Sequence, residues 1–493
     1  MVNPTPEQTE AVDTYGDGVD MVLQAGAGCG KSSTLKLIAR SDPRRSMTYV
    51  AYNKPIAADA RRSFPGNALC KTGHALAFDP KYLPRIERPK QTAKDAADAL
   101  DVRRILGLVG SPPAIKNDLG ALKAMTGKVI MRSALDTVTR YCYSADPEIT
   151  AQHVPRYDGL QKPEARKALL ELVLPVAQAA WEDLSAEDGV LRLTHDHYLK
   201  MWALAEPKLP TDVVLLDEAQ DTNDVLSSVL LAQQHAQRIA VGDSAQQIYS
   251  WRGANDALGK FVDALDCPEL TLSQSFRFGQ PIADAANMWL RIIAAPLRLT
   301  GWSGCDSKVE HIPQDQADAI LCRTNAGAMG LVMEAIGAGR KVALVGGGGD
   351  IKRLAYAARD LQRGFPTDHA ELLAFPSWDA VREYAEEEDG ALKVLVGLID
   401  DNGVDAIIKA ADSLASEEQA ELVVSTAHKA KGREWPRVRI HADFKCPKPD
   451  PATKNIILRR EEGRLAYVAV TRAREVLDAA ALSWVHQVTA VSD

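Results

Sequence analysis

The segment AGAGCGKSS, residues 25–33, constrains the fold of this chain more than any other stretch. The apolar run VDMVLQAG (19–26) leads into it, and the helical pattern TLKLIAR follows it. Glycines between a strand and a helix let backbone N–H groups converge on phosphate oxygens, and the helix amino terminus adds a favourable dipole. The alternative is a chance glycine-rich turn, which the flanking strand and helix disfavour. The segment therefore predicts a P-loop, although Ala25 stands where this pattern normally has Gly.

Each side chain of a P-loop has a distinct predicted task. Lys31 is predicted to reach the β and γ phosphates of a nucleotide, and the Ser32 hydroxyl to ligate Mg²⁺. The residues predicted to line the phosphates are Ala25, Gly26, Ala27, Gly28, Cys29, Gly30, Lys31, Ser32 and Ser33.

Two adjacent acids follow a second apolar run, in VVLLDEAQD (213–221). A carboxylate at the end of a buried strand is what a magnesium site beside a P-loop requires, so Asp217 is predicted to hold the metal through water. Glu218 is predicted to take a proton from the attacking water as a general base. Such a pair by itself is usually part of a solvated loop, but the P-loop upstream favours one ATPase site.

Short runs rich in Val, Ile and Leu alternate with helical patterns, which predicts parallel α/β layers with active loops at the carboxyl ends of the strands. Two stretches have helical periodicity without convincing strands. The sequence thus predicts an α/β fold of two P-loop domains, each interrupted by a mainly helical insertion. The predicted parts are a first α/β domain (1–80 and 195–269), its insertion (81–194), a second α/β domain (270–364 and 420–493) and a small insertion (365–419).

Three further motifs complete the predicted site. In GDSAQQIYSWRGA (242–254), Gln246 is predicted to sense the γ-phosphate, while Tyr249 and Trp251 either stack on bases or belong to the core. SQSFRFG (273–279) and YVAVTRA (467–473) supply Arg277 and Arg472, which we expect to come from the second α/β domain and to act as arginine fingers.

The order of these motifs resembles the UvrD/PcrA/Rep branch of superfamily 1 DNA helicases, over nearly the whole chain. TPEQ (5–8) and STAHKAKGREW (425–435) fit the same order. The strings YVAYNKPIA, FPGNALCKTGHALAF and CRTNA are most similar to the F-box DNA helicases. No F-box stands before TPEQ, so we expect the resemblance to concern the motor alone.

The resemblance implies two RecA-like domains, ATP and Mg²⁺ as cofactors, and 3′-to-5′ travel on single-stranded DNA up to duplex junctions. It assigns Gln8 as the adenine reader, Phe276 as the adenine-stacking ring and Glu434 as a contact near the nucleotide. The positions that it implies for the strand are Asn53, Lys54, Thr72, His74, Trp251, Thr426 and His428, and Tyr249 joins them as a predicted contact through its stacking face. Gly73, Ser33 and the short second insertion depart from the family pattern.

Three other interpretations stay open: a translocase that strips proteins from DNA but unwinds poorly, an RNA-directed helicase, and a binding module with a vestigial nucleotide site. The net charge of −8 argues against a protein that coats nucleic acid, yet it permits a local basic track. No signal peptide or membrane span is expected, and the scattered cysteines suit a reducing interior. We expect a cytoplasmic motor of bacterial or viral type, for DNA repair or replication, with loading partners that the sequence does not identify.

Overall fold

The structure is a computed structural model that describes residues 3–118, 120–248, 257–387 and 391–492. Within these residues the strands are β1 (Met21–Ala25), β2 (Met47–Ala51), β3 (Ala68–Thr72), β4 (Ala114–Lys116), β5 (Leu122–Ala124), β6 (Val213–Leu216), β7 (Gln237–Gly242), β8 (Glu269–Leu272), β9 (Lys308–Val309), β10 (Ala319–Cys322), β11 (Val342–Leu344), β12 (Leu422–Thr426), β13 (Trp435–Ile440), β14 (Ile457–Arg459), β15 (Ala473–Asp478) and β16 (Ala490–Ser492).

The helices within the same residues are α1 (Pro6–Gly16), α2 (Lys31–Ser41), α3 (Lys54–Ser63), α4 (Gly73–Ala77), α5 (Leu83–Ile86), α6 (Ala93–Leu100), α7 (Val102–Ile105), α8 (Gly127–Tyr143), α9 (Pro163–Ser185), α10 (His195–Leu204), α11 (Asp224–Leu231), α12 (Ala257–Leu265), α13 (Gln280–Ile292), α14 (Asn325–Gly337), α15 (Gly349–Gln362), α16 (Trp378–Glu387), α17 (Ala391–Asn402), α18 (Val404–Asp412), α19 (Ala427–Ala430) and α20 (Arg460–Val470).

Two six-stranded parallel sheets dominate the fold. The first has the order β3-β2-β6-β7-β1-β8, and the second has the order β11-β12-β10-β13-β15-β9. Strands β1, β2 and β6 are buried along their whole length, as parallel strands covered on both faces must be. In such sheets the loops at the carboxyl ends of the strands lie along one edge, and this edge of the first sheet carries the P-loop.

The chain divides into two compact units. One consists of residues 1–76, 207–346 and 414–493 and contains both six-stranded sheets. A continuous apolar core in this unit includes Leu23 and Leu215 of the first sheet and Leu321 and Val438 of the second. The two sheets therefore share one packed interior.

The other unit consists of residues 77–206 and 347–413 and is mainly helical. Its core centres on α8 and α9 and also includes Leu373 and Ala374 from the second of its two segments. The buried Lys123 ammonium group donates to the Phe375 carbonyl oxygen at 2.9 Å. The two insertions predicted from the sequence therefore pack together in this unit.

Three details differ from the sequence-based outline. Strand β8 pairs with β1, so the first sheet extends to Leu272 and includes residues 270–272, which the predicted bounds assign to the second domain. Helix α15, also predicted there, groups with the helical unit. The first insertion contains the antiparallel hairpin β4–β5, which its short and partly exposed strands conceal from a search for apolar runs. The domain bounds themselves stay a prediction.

In the part of the chain that the structure describes, no helix combines the length and the apolar character that crossing a bilayer requires.

The guanidinium group of Arg85 caps the carboxyl end of α9. It is buried, and it donates to the carbonyl oxygens of Leu184 at 3.0 Å, Ala186 at 2.6 Å and Leu191 at 2.8 Å. Carbonyl groups in the last turn of a helix lack intrahelical partners, so a buried cation with several donors satisfies them.

We predict that Arg85→Ala destabilises the helical unit by about 3 kcal/mol, because several buried carbonyl groups lose their donor at once. Hydrogen–deuterium exchange should show amides of residues 163–191 exchanging about a hundred times faster, with the sheet-containing unit unchanged. Arg104→Ala is the control, since the Arg104 side chain is 82% exposed. Unchanged exchange in Arg85→Ala would contradict the capping role.

Candidate nucleotide site

The P-loop lies between β1 and α2 and depends on two glycines in left-handed conformations. Gly28 has φ of +77° and Gly30 has φ of +78°, and Gly30 caps the amino terminus of α2. L-residues with a Cβ atom rarely adopt this region, so these glycines give the loop its turn. Lys31 is the first residue of α2, which brings its side chain to the mouth of the loop.

The residues predicted to hold the metal meet beside the loop. The Ser32 hydroxyl donates to Asp217 Oδ2 at 2.7 Å, and the Tyr49 hydroxyl donates to the same oxygen at 2.6 Å. A hydroxyl and a carboxylate oxygen so close together suit a hard divalent cation such as Mg²⁺. Burial, and then the neighbouring Glu218 carboxylate, raise the pKa of Asp217.

Lys31 and Glu218 form the ionic centre of the site. The Lys31 ammonium lies 3.7 Å from Glu218 Oε1, and Gln220 donates to the other carboxylate oxygen at 2.7 Å. Burial opposes the charge of Glu218, but Lys31 and then Lys431 outweigh it, so the pKa of Glu218 is lowered. The carboxylate is therefore ionised at neutral pH and able to accept a proton.

Lys431, between α19 and β13, brings a second buried cation to the acids. Its ammonium group lies 2.5 Å from Asp221 Oδ1 and also donates to the Gln246 carbonyl oxygen. Burial raises the pKa of Asp221 to about 6, against the opposing effect of Lys431. A segment of the second sheet is thereby tied to the carboxyl edge of the first.

Gln246 and Arg472 are directly bonded. Arg472 Nη2 donates to Gln246 Oε1 at 3.3 Å, and Gln246 Nε2 donates to Asp243 Oδ2 at 2.7 Å. All three side chains are buried. The structure thus brings the predicted γ-phosphate sensor and one predicted arginine finger together.

The segment that carries Arg277 is bound to the P-loop backbone. The Ser275 hydroxyl donates to the Ala27 carbonyl oxygen at 2.8 Å, and the Phe276 N–H donates to the Gly28 carbonyl oxygen at 2.9 Å. Arg277 pairs with Glu434 at 2.7 Å. Arg277 lies between β8 of the first sheet and α13, and its predicted origin in the second domain stays a prediction.

The predicted adenine contacts lie at the other end of the loop. Gln8 is buried and donates through Nε2 to Thr34 Oγ1 at 3.1 Å. A Cβ atom added at Gly30 would lie 3.1 Å from Gln8 Nε2 and 3.7 Å from the Phe276 ring. Ser33 is exposed on the first turn of α2.

The described positions predicted to contact the strand lie at or just after the carboxyl ends of β2, β3 and β12. Asn53 caps α3, Thr72 accepts a hydrogen bond from the Ala75 N–H, and Thr426 caps α19. Thr72 and Thr426 are buried, whereas Asn53 and Lys54 are exposed. His74 and His428 are partly buried in the two short helices α4 and α19. Tyr249 and Trp251 lie outside the described residues.

Sequence reasoning missed five residues of the site, namely Tyr49, Asp221, Asp243, Lys431 and Tyr467. All five stand inside the quoted strings, Tyr49 as the first residue of YVAYNKPIA. Closer attention to every polar residue in those strings would have found Asp221, Asp243, Lys431 and Tyr467, whereas the apolar neighbours of Tyr49 make it look like a core residue.

The site belongs to a known family pattern. Residues 164–259 match the UvrD/REP helicase N-terminal domain, and residues 379–483 match the UvrD-like helicase C-terminal domain. The F-box DNA helicase protein 1 of Schizosaccharomyces pombe is 28% identical over 513 residues, which cover 96% of this chain and 57% of that protein. The F-box DNA helicase 1 of Gallus gallus is 28% identical over 493 residues, or 92% of this chain and 46% of that protein.

A shorter match joins the chain to a bacterial relative. The ATP-dependent DNA helicase PcrA of Leuconostoc citreum is 43% identical over 105 residues, which cover 20% of this chain and 14% of that protein. The chain spans about half the length of the curated relatives that it matches most fully. Both of those are eukaryotic, so the predicted bacterial or viral origin gains no support.

A P-loop at the edge of a parallel sheet, with a second parallel sheet in the same unit, defines a P-loop NTPase with two RecA-like domains. The chain is similar to the UvrD-like helicases, with segments that match both their N-terminal and their C-terminal domain.

We predict that Gly28→Ala weakens nucleotide binding at least about tenfold. A left-handed alanine costs about 1–2 kcal/mol, and its Cβ atom would lie 2.7 Å from both Arg277 Cβ and Ser275 Oγ. Equilibrium titration with a fluorescent ATP analogue measures the effect. Gly330→Ala is the control, because a Cβ atom there meets nothing within 4 Å. Wild-type affinity in Gly28→Ala would contradict the assignment of the loop.

Proposed function

We propose that this chain is an ATP-driven motor that moves 3′-to-5′ along single-stranded DNA and separates duplex ahead of it. The observation that carries the proposal is the cluster in which Lys31, Glu218, Gln246 and Arg472 meet beside the P-loop. The names of the relatives support DNA as the substrate. The direction of travel rests on the family resemblance.

In the proposed reaction, Lys31 and the P-loop amides bind the triphosphate, and Glu218 accepts the proton of the attacking water. Ser32 and Asp217 would hold the magnesium ion, which lowers the charge of the phosphates when it is bound. Gln246, Arg277 and Arg472 supply donors to the γ-phosphoryl group, whose negative charge develops during transfer. ATP and water become ADP and phosphate.

Coupling to movement is inferred from the protein partners of the two arginines. Arg277 is paired with Glu434, and Arg472 with Gln246, so a γ-phosphate competes for cations that already have partners. Binding of the triphosphate therefore changes contacts between segments of the two sheets, and release of phosphate restores them. The loops after β2, β3 and β12 would move with these segments and alter their hold on the strand.

The proposed contacts to the DNA strand are of two kinds, charged and neutral. Lys54 is exposed at the start of α3 and suits a phosphate group. Burial, and then the charge of Arg323, lower the pKa of His428 to about 4. His428 is therefore neutral at physiological pH and would act through hydrogen bonds or stacking. Such contacts tolerate any base sequence.

A translocase that strips proteins from DNA with weak unwinding is the second candidate. The second insertion packs into one core with the first, through Leu373, Ala374 and the Lys123 bond to Phe375. An insertion fixed in this way has less freedom to act on a duplex by itself.

The two candidates, and RNA as a substrate, separate in one set of assays. ATP turnover should rise with single-stranded DNA, more than with RNA of the same sequence, and 3′-tailed duplexes should be displaced in preference to 5′-tailed ones. Stimulation by DNA without displacement, but with removal of a bound protein, favours the translocase. ATP turnover that rises with RNA alone, or no turnover with either nucleic acid, would contradict the proposal of a DNA motor.

We predict that Lys31→Ala and Glu218→Gln fail at different steps. Lys31→Ala should lose nucleotide binding, because the ammonium group that binds the phosphates is removed. Glu218→Gln should bind ATP but turn it over at least about a hundredfold more slowly, because the proton acceptor is gone. Binding and steady-state turnover are measured on the same samples. Glu334→Gln, an exposed position on α14, should behave as wild type. Full turnover in Glu218→Gln would exclude it as the base.

Lys54→Ala is predicted to reduce by about 0.7 the slope of log affinity for single-stranded DNA against log salt, because one phosphate contact is lost. Fluorescence anisotropy over a salt series provides the slope. Lys341→Ala is the matched control. Lys341 is exposed at the amino end of β11, whereas the proposed strand contacts lie at the carboxyl ends of the strands. Equal slopes for both variants would remove Lys54 from the strand path.

A further inference from the structure

Tyr467 of α20 connects the P-loop to the first sheet by two hydrogen bonds. The Ala27 N–H donates to the Tyr467 hydroxyl oxygen at 3.2 Å, and this hydroxyl donates to Asp243 Oδ2 at 2.9 Å. The Tyr467 side chain is fully buried. Burial, and then the Asp243 carboxylate, raise the pKa of Tyr467 far above its usual range, so the phenol keeps the proton that it donates.

The hydrogen bonds continue beyond Asp243 to the arginine. Asp243 Oδ2 also accepts from Gln246 Nε2 at 2.7 Å, and Gln246 Oε1 accepts from Arg472 Nη2 at 3.3 Å. One unbroken chain of hydrogen bonds therefore runs from Ala27 through Tyr467, Asp243 and Gln246 to Arg472. Neither the proposed chemistry nor the family resemblance uses Tyr467 or Asp243.

The position of this chain of bonds suggests its role. Gln246 and Arg472 discriminate a triphosphate from a diphosphate only if their side chains are held where the γ-phosphate arrives. A primary amide such as that of Gln246 is free to turn unless its nitrogen is fixed, and here Asp243 fixes it. Asp243 is in turn oriented by the Tyr467 hydroxyl.

We infer that Tyr467 is a positioning residue for recognition of the γ-phosphate, holding Asp243, Gln246 and Arg472 in register with the P-loop at Ala27. This inference rests on the proposed function for its triphosphate ligand, although not on hydrolysis or on DNA. Without the phenol, Lys31 and the other P-loop amides still bind the β phosphate. The loss therefore falls mainly on recognition of the γ-phosphate.

The test is equilibrium binding of ADP and of a non-hydrolysable ATP analogue, both with Mg²⁺, to the full chain. Wild type should bind the triphosphate analogue more tightly than ADP. In Tyr467→Phe, the ratio of the affinity for the triphosphate analogue to the affinity for ADP should fall about tenfold, while the affinity for ADP stays within about twofold of wild type. A tenfold change corresponds to the free energy of about one hydrogen bond to a charged group.

Tyr141→Phe is the matched control, because the Tyr141 hydroxyl is also buried and donates to the Pro147 carbonyl oxygen at 2.7 Å in the helical unit. It should keep the wild-type ratio, even if its thermal stability falls as much as that of Tyr467→Phe. An unchanged ratio in Tyr467→Phe, or equal binding of both nucleotides by wild type, would overturn the inference.

Failure of the motor proposal gives a different result. A wild-type protein that prefers the triphosphate but shows no turnover with DNA would sink the motor, while the ratio in Tyr467→Phe would still decide the role of Tyr467.

Discussion

Buried charge is the constraint on which this structure depends. Asp217 and Arg472 are buried, and the side chains of Lys31 and Glu218 are only 10% and 27% exposed. An isolated ion in such a place would be unfavourable. Each charge is tolerated because an opposite charge or a set of hydrogen bonds lies beside it. The partners come from segments more than a hundred residues apart, so the site exists only when both sheets of the unit are folded and packed.

The pairing of charges also makes the site sensitive to nucleotide binding. Arg472 and Lys431 belong to segments of the second sheet, yet their partners Gln246 and Asp221 follow strands of the first. A nucleotide that brings three phosphates and a metal ion changes the charge balance at once, and the pairs have to be redistributed. In this way local electrostatics can be converted into relative motion of packed elements, because close-packed interiors shift between discrete arrangements.

The helical unit is stabilised by different means. It has its own apolar core, and the buried Arg85 and Lys123 donate mainly to backbone carbonyl oxygens, with Asp183 as a further partner of Arg85. Burial lowers the pKa of Lys123 to about 8, so its charge is maintained against a desolvation cost. This unit contains no part of the nucleotide cluster described above. The buried polar groups of the helical unit stabilise its fold, whereas those of the sheet-containing unit also form the candidate nucleotide site.

The sequence by itself determined the local elements of this protein. Strand, glycine turn and helix around Lys31 are encoded within about twenty residues, because apolar periodicity, glycine freedom and the following helix pattern are properties of neighbouring side chains. The acids after β6 could be predicted for the same reason. The hairpin β4–β5 and the short strand β8 could not, since their stability comes from pairing partners instead of their own composition.

Only the tertiary structure decided which residues meet. It placed Arg277 after an edge strand of the first sheet, joined Lys431 to Asp221, and set the Tyr467 hydroxyl between Ala27 and Asp243. A tyrosine within an apolar run has the same local pattern whether it fills the core or carries a hydrogen bond across 440 residues of chain. Contacts of that kind depend on how whole sheets pack, and no short-range pattern records them.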